Sequence, residues 1–247
     1  IEDGATLVCF GAGNEEQSMQ NGSFSYITSL KSVYFGGNLE YDNSSSYYNA
    51  PFYKLNTNAA FDLTIGPNVT SIPENCFGNC DDIKSIKAMP QTPPSLDYNA
   101  FGNTSKTVSV KVSYKTKNAY TSASDWKNFT NYELDIDLCK TDALNDLDAE
   151  AGQNPSDAVK KVLDEYKGEV NNASGGDKVV EKLNAGKAAI QLQKAKDSAI
   201  AALNTEAGDS PSEAVAGERE TWIANVNKAT TIDDVKNAKE EGVITTE

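Results

Sequence analysis

The sequence predicts an α+β protein of two domains, a short β-solenoid of stacked strands followed by an all-α domain of tandem helical bundles. Three observations carry this reading. Residue types segregate: all eight Phe lie between Phe10 and Phe129, all four Cys at or before Cys139, and ten of the eleven Tyr before Tyr166. The second half repeats at an offset of 56, EAGQNPSDAV (150–159) returning as EAGDSPSEAV (206–215). The first half repeats at an offset of 24, ENCFGN (74–79) returning as YNAFGN (98–103). The boundary is placed between residues 139 and 140.

In the first domain, residues 1–139, each repeat carries one aromatic and several aliphatics. Phe24 is followed six and nine residues later by Leu30 and Val33, and Phe77 by Ile83 and Ile86. Phe52 falls one residue off the same period. A unit of this length cannot bury its own apolar face, so a period in the low twenties reads as turns that must stack. NLEYDNSSSY (38–47) is an insertion bulging outward, and MPQTPPS (89–95) interrupts the rhythm. A strand and short helix follow in VSVKVSYKTKNAYTSASDWKNF (108–129). Here Trp126 and Phe129 either cover the last apolar turn, as solenoid ends require, or offer a ring to carbohydrate. The alternating acids of ELDIDLCKTDALNDLD (133–148) suggest calcium, but the EF-hand spacing and its Gly are absent, which favours a strand running into a helix.

The second domain, residues 140–247, reads as two repeats of about 56 residues. Ala143 matches Ala199, Leu147 matches Leu203, Tyr166 matches Trp222, Val170 matches Val226 and Val179 matches Val235. Gly152 and Gly208 suit left-handed helix ends. Asn154 and Ser210 are the predicted N-caps, with Pro155 and Pro211 at the first helical position. Val159, Val162, Leu163, Tyr166 and Val170 then share one face, as do Trp222, Ile223 and Val226. Lys178 to Glu206 lacks Pro and reads as one long helix with Gly186 as a weak point.

Charge and composition narrow the function. The net charge is −14. From Lys140 onward there are 13 Lys and Arg against 21 Asp and Glu, a net of −8, leaving −6 for the first 139 residues. Both domains therefore repel phosphate backbones, and no nucleic-acid partner is expected. No apolar run reaches the length of a transmembrane segment. The start at Ile1, without a charged and apolar leader, fits a chain whose signal segment has been removed. There is no histidine, which removes the commonest general base, the Ser-His and Cys-His pairs and the usual zinc ligand. No catalytic residue, metal ligand or cofactor is assigned.

Two clusters are candidates for chemistry. Cys76 and Cys80 are four residues apart, but only Asp81 and Asp82 lie nearby as further metal ligands, and redox pairs normally have two intervening residues. Burial in a turn explains them better, and disulfides among Cys9, Cys76, Cys80 and Cys139 stay open. The stretch YDNSSSYYNAPFY (41–53) mixes Tyr and Ser as adaptable contact surfaces do. Tyr41, Tyr47, Tyr48 and Tyr53 are the candidate ligand-binding surface, against the plainer reading of an inserted loop with some rings packed on the solenoid.

LTIGPNVTSIPENCFGNCDDIKSI (63–86) resembles one full unit of the BspA-like leucine-rich repeat of bacterial surface proteins. Leu63, Ile65, Val69, Ile72, Phe77, Cys80, Ile83 and Ile86 occupy the apolar positions of that pattern. Residues 108–129 are similar to the segment that closes such repeats, which implies a cap at about 108–135. The likeness covers roughly residues 20–135, with Cys76 standing where Ala is usual, and excludes the helical domain. It implies a leucine-rich-repeat solenoid without enzymatic activity, located at the surface of gut or oral bacteria, secreted or lipid-anchored through a removed N-terminal segment. It implies adhesion to a protein or glycan ligand, host molecules included. The alternative is a structural part of a surface assembly, and a third reading is a carboxylate-dependent glycan-active enzyme.

Overall fold

Apolar residues alternating with polar ones set the strands of the first half. A computed structural model describes residues 7–9, 24, 30–41, 50–53, 55 and 60–246. Its chain divides into two compact units, Ile1–Cys139 and Lys140–Glu247.

In the first unit every strand pairing is parallel. Strands β1 (Leu7–Cys9) and β3 (Leu39–Tyr41) form one two-stranded sheet, and β5 (Ser71–Ile72) and β7 (Ser95–Leu96) another. The main sheet runs in the order β2 (Ser32–Phe35), β4 (Phe61–Ile65), β6 (Ile83–Ala88), β8 (Ser109–Val112) and β9 (Asn131–Leu134). Val33, Leu63, Ile86, Val110 and Tyr132 stand in register across it. The spacing lengthens between Val33 and Leu63, where the sequence carries its insertion. The inward residues Phe35, Leu63, Ile65, Ile86, Val110 and Val112 are fully buried. Period-2 alternation thus gives the sheet one face in the core and one in solvent.

The proline segment 89–95 has a structural use. Proline has no N–H to extend a ladder, and the chain here pairs only through the two residues of β7. The freed carbonyls of Pro90 and Pro94 accept hydrogen bonds from Tyr120 Oη (3.2 Å) and Trp126 Nε1 (2.8 Å). Helix α1 (Lys117–Ser122) and a 3-10 turn (Trp126–Asn128) position these two rings over the last stacked turn. The acidic run beyond is a strand, β9, followed by a helix, as the sequence predicts. Asp135 accepts from the backbone N–H groups of Asp137 (3.1 Å) and Leu138 (3.0 Å) at the start of that helix and pairs with Lys87 (2.8 Å).

The helices are α2 (Ile136–Ala151), α3 (Asp157–Asn172), α4 (Gly176–Ala207), α5 (Glu213–Lys228) and α6 (Ile232–Thr246). The offset of 56 is visible atom by atom. Ser156 Oγ accepts from Val159 N (3.1 Å), and Ser212 Oγ from Val215 N (3.3 Å). Lys140 Nζ donates to the Asn171 carbonyl (2.7 Å) at the end of α3, and Lys196 Nζ to the Asn227 carbonyl (2.9 Å) at the end of α5. Gly152 and Gly208 have positive φ of 86° and 74°, which glycine adopts without a Cβ penalty, although Gly208, with ψ of 176°, ends its helix outside the left-handed helical region.

Two expectations are corrected here. The N-caps are Ser156 and Ser212, two residues beyond Asn154 and Ser210, and the prolines precede the caps instead of following them. The serine hydroxyls reach the first free N–H groups, which the asparagine position does not. Gly186 is not a weak point. Helix α4 runs through it without a break, and a Cβ there would lie 2.8 Å from Leu147 Cδ2 and 2.9 Å from Tyr166 Cβ. Its counterpart Gly242 faces Leu203 and Trp222 in the same way, at 2.9 Å each. Glycine at these two positions lets helices touch.

Candidate functional site

The site is built on the corner of the first unit where Asn-x-Phe-Gly recurs. Three rings stack at this corner: Phe52 on Phe77 (5.2 Å between centroids, 21° between planes) and Phe77 on Phe101 (5.4 Å, 13°). Phe24 extends the column beyond Phe52 at 5.1 Å. At the other end Trp126 and Phe129 meet Phe101 edge-on at 5.8 and 5.6 Å. The spacing follows the separation of adjacent parallel strands, so identical rings at equivalent positions must stack.

A second ladder lies beside the rings. Asn75, Asn79 and Asn99 adopt φ of 58°, 55° and 59°, a left-handed conformation that Asn tolerates better than most residues. Asn99 Nδ2 donates to Asn75 Oδ1 (2.6 Å), and Asn103 Nδ2 donates to Asn79 Oδ1. Backbone bonds continue around the same corner, from Asn75 N to the Tyr98 carbonyl (3.1 Å) and from Phe77 N to the Ala100 carbonyl (2.8 Å). An amide side chain both donates and accepts, so one turn's asparagine can bond to the next, and the ladder satisfies polar groups that stacking would otherwise strand.

This framework places two of the four predicted tyrosines. Tyr41 donates its hydroxyl to the Glu74 carbonyl. The Tyr53 ring lies on Gly78, where an added Cβ would be 3.1 Å from Cδ2, and its hydroxyl accepts from Asn79 Nδ2 (2.5 Å). Both rings are half-buried and both hydroxyls bond to the next turn. Tyr47 and Tyr48 lie outside the described residues.

The cysteine pair sits in the core of the same corner. Cys76 and Cys80 are fully buried. Cys80 Sγ donates to the Phe52 carbonyl (3.0 Å). Burial pushes its thiol pKa up to about 12, against the thiolate form that reactivity needs. Among the described residues no group of three or more Cys, Asp or Glu is arranged to hold a metal ion.

Beside the column, between the last Asn-x-Phe-Gly turn and the closing segment, lies an open cleft of about 270 Å³. Its lining includes Asp97, Tyr98, Lys106, Asp125 and Asn128 together with the buried Phe101 and Phe129. Tyr98 is 76% exposed, the largest value among the exposed apolar and aromatic side chains described. Lys106 lies along the wall, donating to the Phe101 carbonyl (3.1 Å) with Nζ 4.9 Å from the Phe129 ring centroid. Partial burial lowers its pKa. Trp126 and Phe129 are 1% and 2% exposed, so neither ring is offered to a sugar. Tyr132, whose hydroxyl donates to the Trp126 carbonyl (2.8 Å), is raised to about 12 by burial. Tyr98 was passed over in the sequence because YNAFGN marks the repeat through its Phe. The available signal was that Tyr98 takes the place of Glu74 in the preceding unit, an aromatic where the fold demands none.

The stacked parallel strands, with one aromatic per turn, agree with the outcome of the sequence comparison. Residues 10–62 and 52–141 match the BspA type leucine rich repeat region in six copies, together just over half of the chain. The chain belongs to that family. The BspA-type repeat accounts for the Phe column and the parallel sheet, and its matched residues end at 141, close to the start of the helical unit. No curated protein and no solved structure shows significant similarity to the chain. Among the described residues no helix is long and apolar enough to cross a membrane.

Proposed function

We propose that this protein is a non-enzymatic cell-surface binding or adhesion protein. In this reading the first unit is a short leucine-rich-repeat solenoid closed by a cap at about 108–135, and it presents a face to a protein or glycan ligand. The second unit is a tandem of two helical bundles acting as spacer or further interaction module. The chain is secreted or surface-held, with a lipid anchor as one route.

One observation supports this above others. The solvent face of the main sheet carries Tyr34, Thr64, Lys87, Lys111 and Glu133 in register across five strands. These positions point away from the core and the parallel ladder holds them at fixed spacing, with Lys87 anchored to Asp135, so together they form an ordered polar face that a partner can read. General-acid catalysis by a carboxyl group calls for a buried, apolar setting, whereas Asp97 and Asp125 are both exposed. That favours binding over glycan cleavage.

The test is to screen the intact chain against arrays of glycans and extracellular-matrix proteins, with sedimentation of the free chain alongside. Saturable binding to one class supports the proposal. Absence of binding on both arrays, with concentration-dependent self-association, would replace it with a role in surface assembly.

A further inference from the structure

The cleft beside Tyr98 has a chemistry that the family assignment does not supply. Its lining combines exposed polar side chains with the buried Phe101 and Phe129, and Tyr98 is the strongly exposed ring among them. Pockets that enclose drug-sized ligands run to about 300–1,000 Å³; at about 270 Å³, and open to solvent, this one suits a single small ring. Tyr98 offers a flat apolar surface with a hydroxyl at its edge, a pairing suited to a ligand with one apolar face and a polar rim. Asp97 and Asp125 supply carboxylate acceptors and Asn128 an amide that both donates and accepts, while Asn99 is held in the ladder by its bond to Asn75 (2.6 Å). Vicinal hydroxyl groups match that set, because each both donates and accepts.

We infer that this cleft binds one neutral pyranose residue, a terminal sugar of a glycan, stacked on Tyr98. This rests on the reading of the protein as a binding module. The charges select against acidic sugars: two carboxylates line the cleft, the unit carries a net −6, and the one cation in the lining, Lys106, is already engaged with the Phe101 carbonyl and the Phe129 ring. A protein partner is a poorer match, since the cores of protein interfaces are depleted in charged residues and here they surround the only exposed ring in the cleft.

Saturation-transfer NMR on the full 247-residue chain tests the assignment, with methyl glycosides of glucose, galactose and mannose as neutral probes and glucuronic acid and N-acetylneuraminic acid as acidic ones. The expected result is transfer to at least one neutral glycoside, with millimolar affinity, and none to the acids. Tyr98→Ala weakens binding by about tenfold or more, equivalent to about 1.4 kcal/mol, while Tyr98→Phe retains it. Fluorescence of Trp126, read in a Trp222→Phe background, checks that each variant is folded. The inference is overturned if no neutral glycoside shows transfer, if acidic sugars bind better, or if Tyr98→Ala binds as well as the parent. Binding to array proteins that survives both enzymatic deglycosylation and Tyr98→Ala would overturn the sugar site and leave the wider binding function standing. Loss of all array binding would remove both.

Discussion

Removing the central ring of the aromatic column gives the most direct measure of what holds the first unit together. Phe77 is fully buried, stacked on Phe52 and Phe101 at 5.2 and 5.4 Å, and edge-on to Phe35 at 5.6 Å. Truncating a buried Phe to Ala costs about 3–5 kcal/mol through lost transfer energy and the cavity left behind. Three ring pairs, at about 0.5–1.5 kcal/mol each beyond the buried area, place Phe77→Ala at the top of that range. A domain is typically stable by only about 5–15 kcal/mol, so this variant is expected to be partly unfolded without denaturant. Phe77→Leu keeps most of the volume and loses the ring pairs, for an expected cost of about 2 kcal/mol. The chain has two Trp, one in each unit, so a Trp222→Phe background leaves Trp126 as the only reporter. Urea titration followed at Trp126 then gives the two free-energy changes by linear extrapolation. If Phe77→Leu falls within about 0.5 kcal/mol of the parent, the range of a neutral surface change, ring stacking contributes nothing beyond volume and the column is only a packed core.

The glycines of the helical unit give predictions of opposite sign. Gly186→Ala and Gly242→Ala should each destabilise by about 1–3 kcal/mol through overpacking, because the added Cβ meets atoms at 2.8–2.9 Å. Gly168→Ala and Gly217→Ala, where nothing lies within 4 Å, should stabilise by about 0.5–1 kcal/mol, all four read from thermal melts by circular dichroism. Ser156→Ala and Ser212→Ala should each lose about 1 kcal/mol in the same assay, while Asn154→Ala and Ser210→Ala should lose far less. For Cys80 the folded thiol pKa lies above its ordinary 9.0, at about 12. The native state therefore keeps a proton that the unfolded state gives up, so this contribution is complete below about pH 9 and is lost as pH rises toward 12. Urea midpoints measured across that window should fall less steeply in Cys80→Ala than in the parent.

Much of this arrangement was readable because its physics is periodic. A stacked turn repeats its apolar residues at a fixed interval, so Phe77 and Phe101 could be aligned and stacked turns expected. The helical repeat could be aligned by the same means, and Lys178 to Glu206 was read as helical because no Pro interrupts it. The misses share a cause. Asn75 and Asn99, and Asn79 and Asn103, recur at the same offset as the phenylalanines, yet sequence alone does not show that their backbone turns left-handed or that their amides bond to one another. Gly186 looked like a helix breaker because propensity is a local quantity, whereas its value lies in the approach of Leu147 and Tyr166, distant in sequence. The Tyr and Ser of 41–53 mark a candidate surface without showing which rings are held by neighbours, as Tyr53 is by Gly78 and Asn79, and which are left to solvent.

That difference suggests where function is written in a stacked fold. Residues that obey the repeat are bound by it: Phe, Asn and Gly recur in equivalent turns because the same ring, amide and close approach are needed each time. Residues that depart from it are under no such demand. Cys76 and Ala100 occupy equivalent buried positions, so the sulfur at 76 is not required by the turn. Glu74 and Tyr98 also occupy equivalent positions, but Tyr98 is exposed and faces a cleft. A large aromatic side chain left in water carries an unfavourable hydration cost that folding does not relieve. Nothing in the stacking of turns explains its choice over the Glu that serves one turn earlier, and a ligand that covers the ring would.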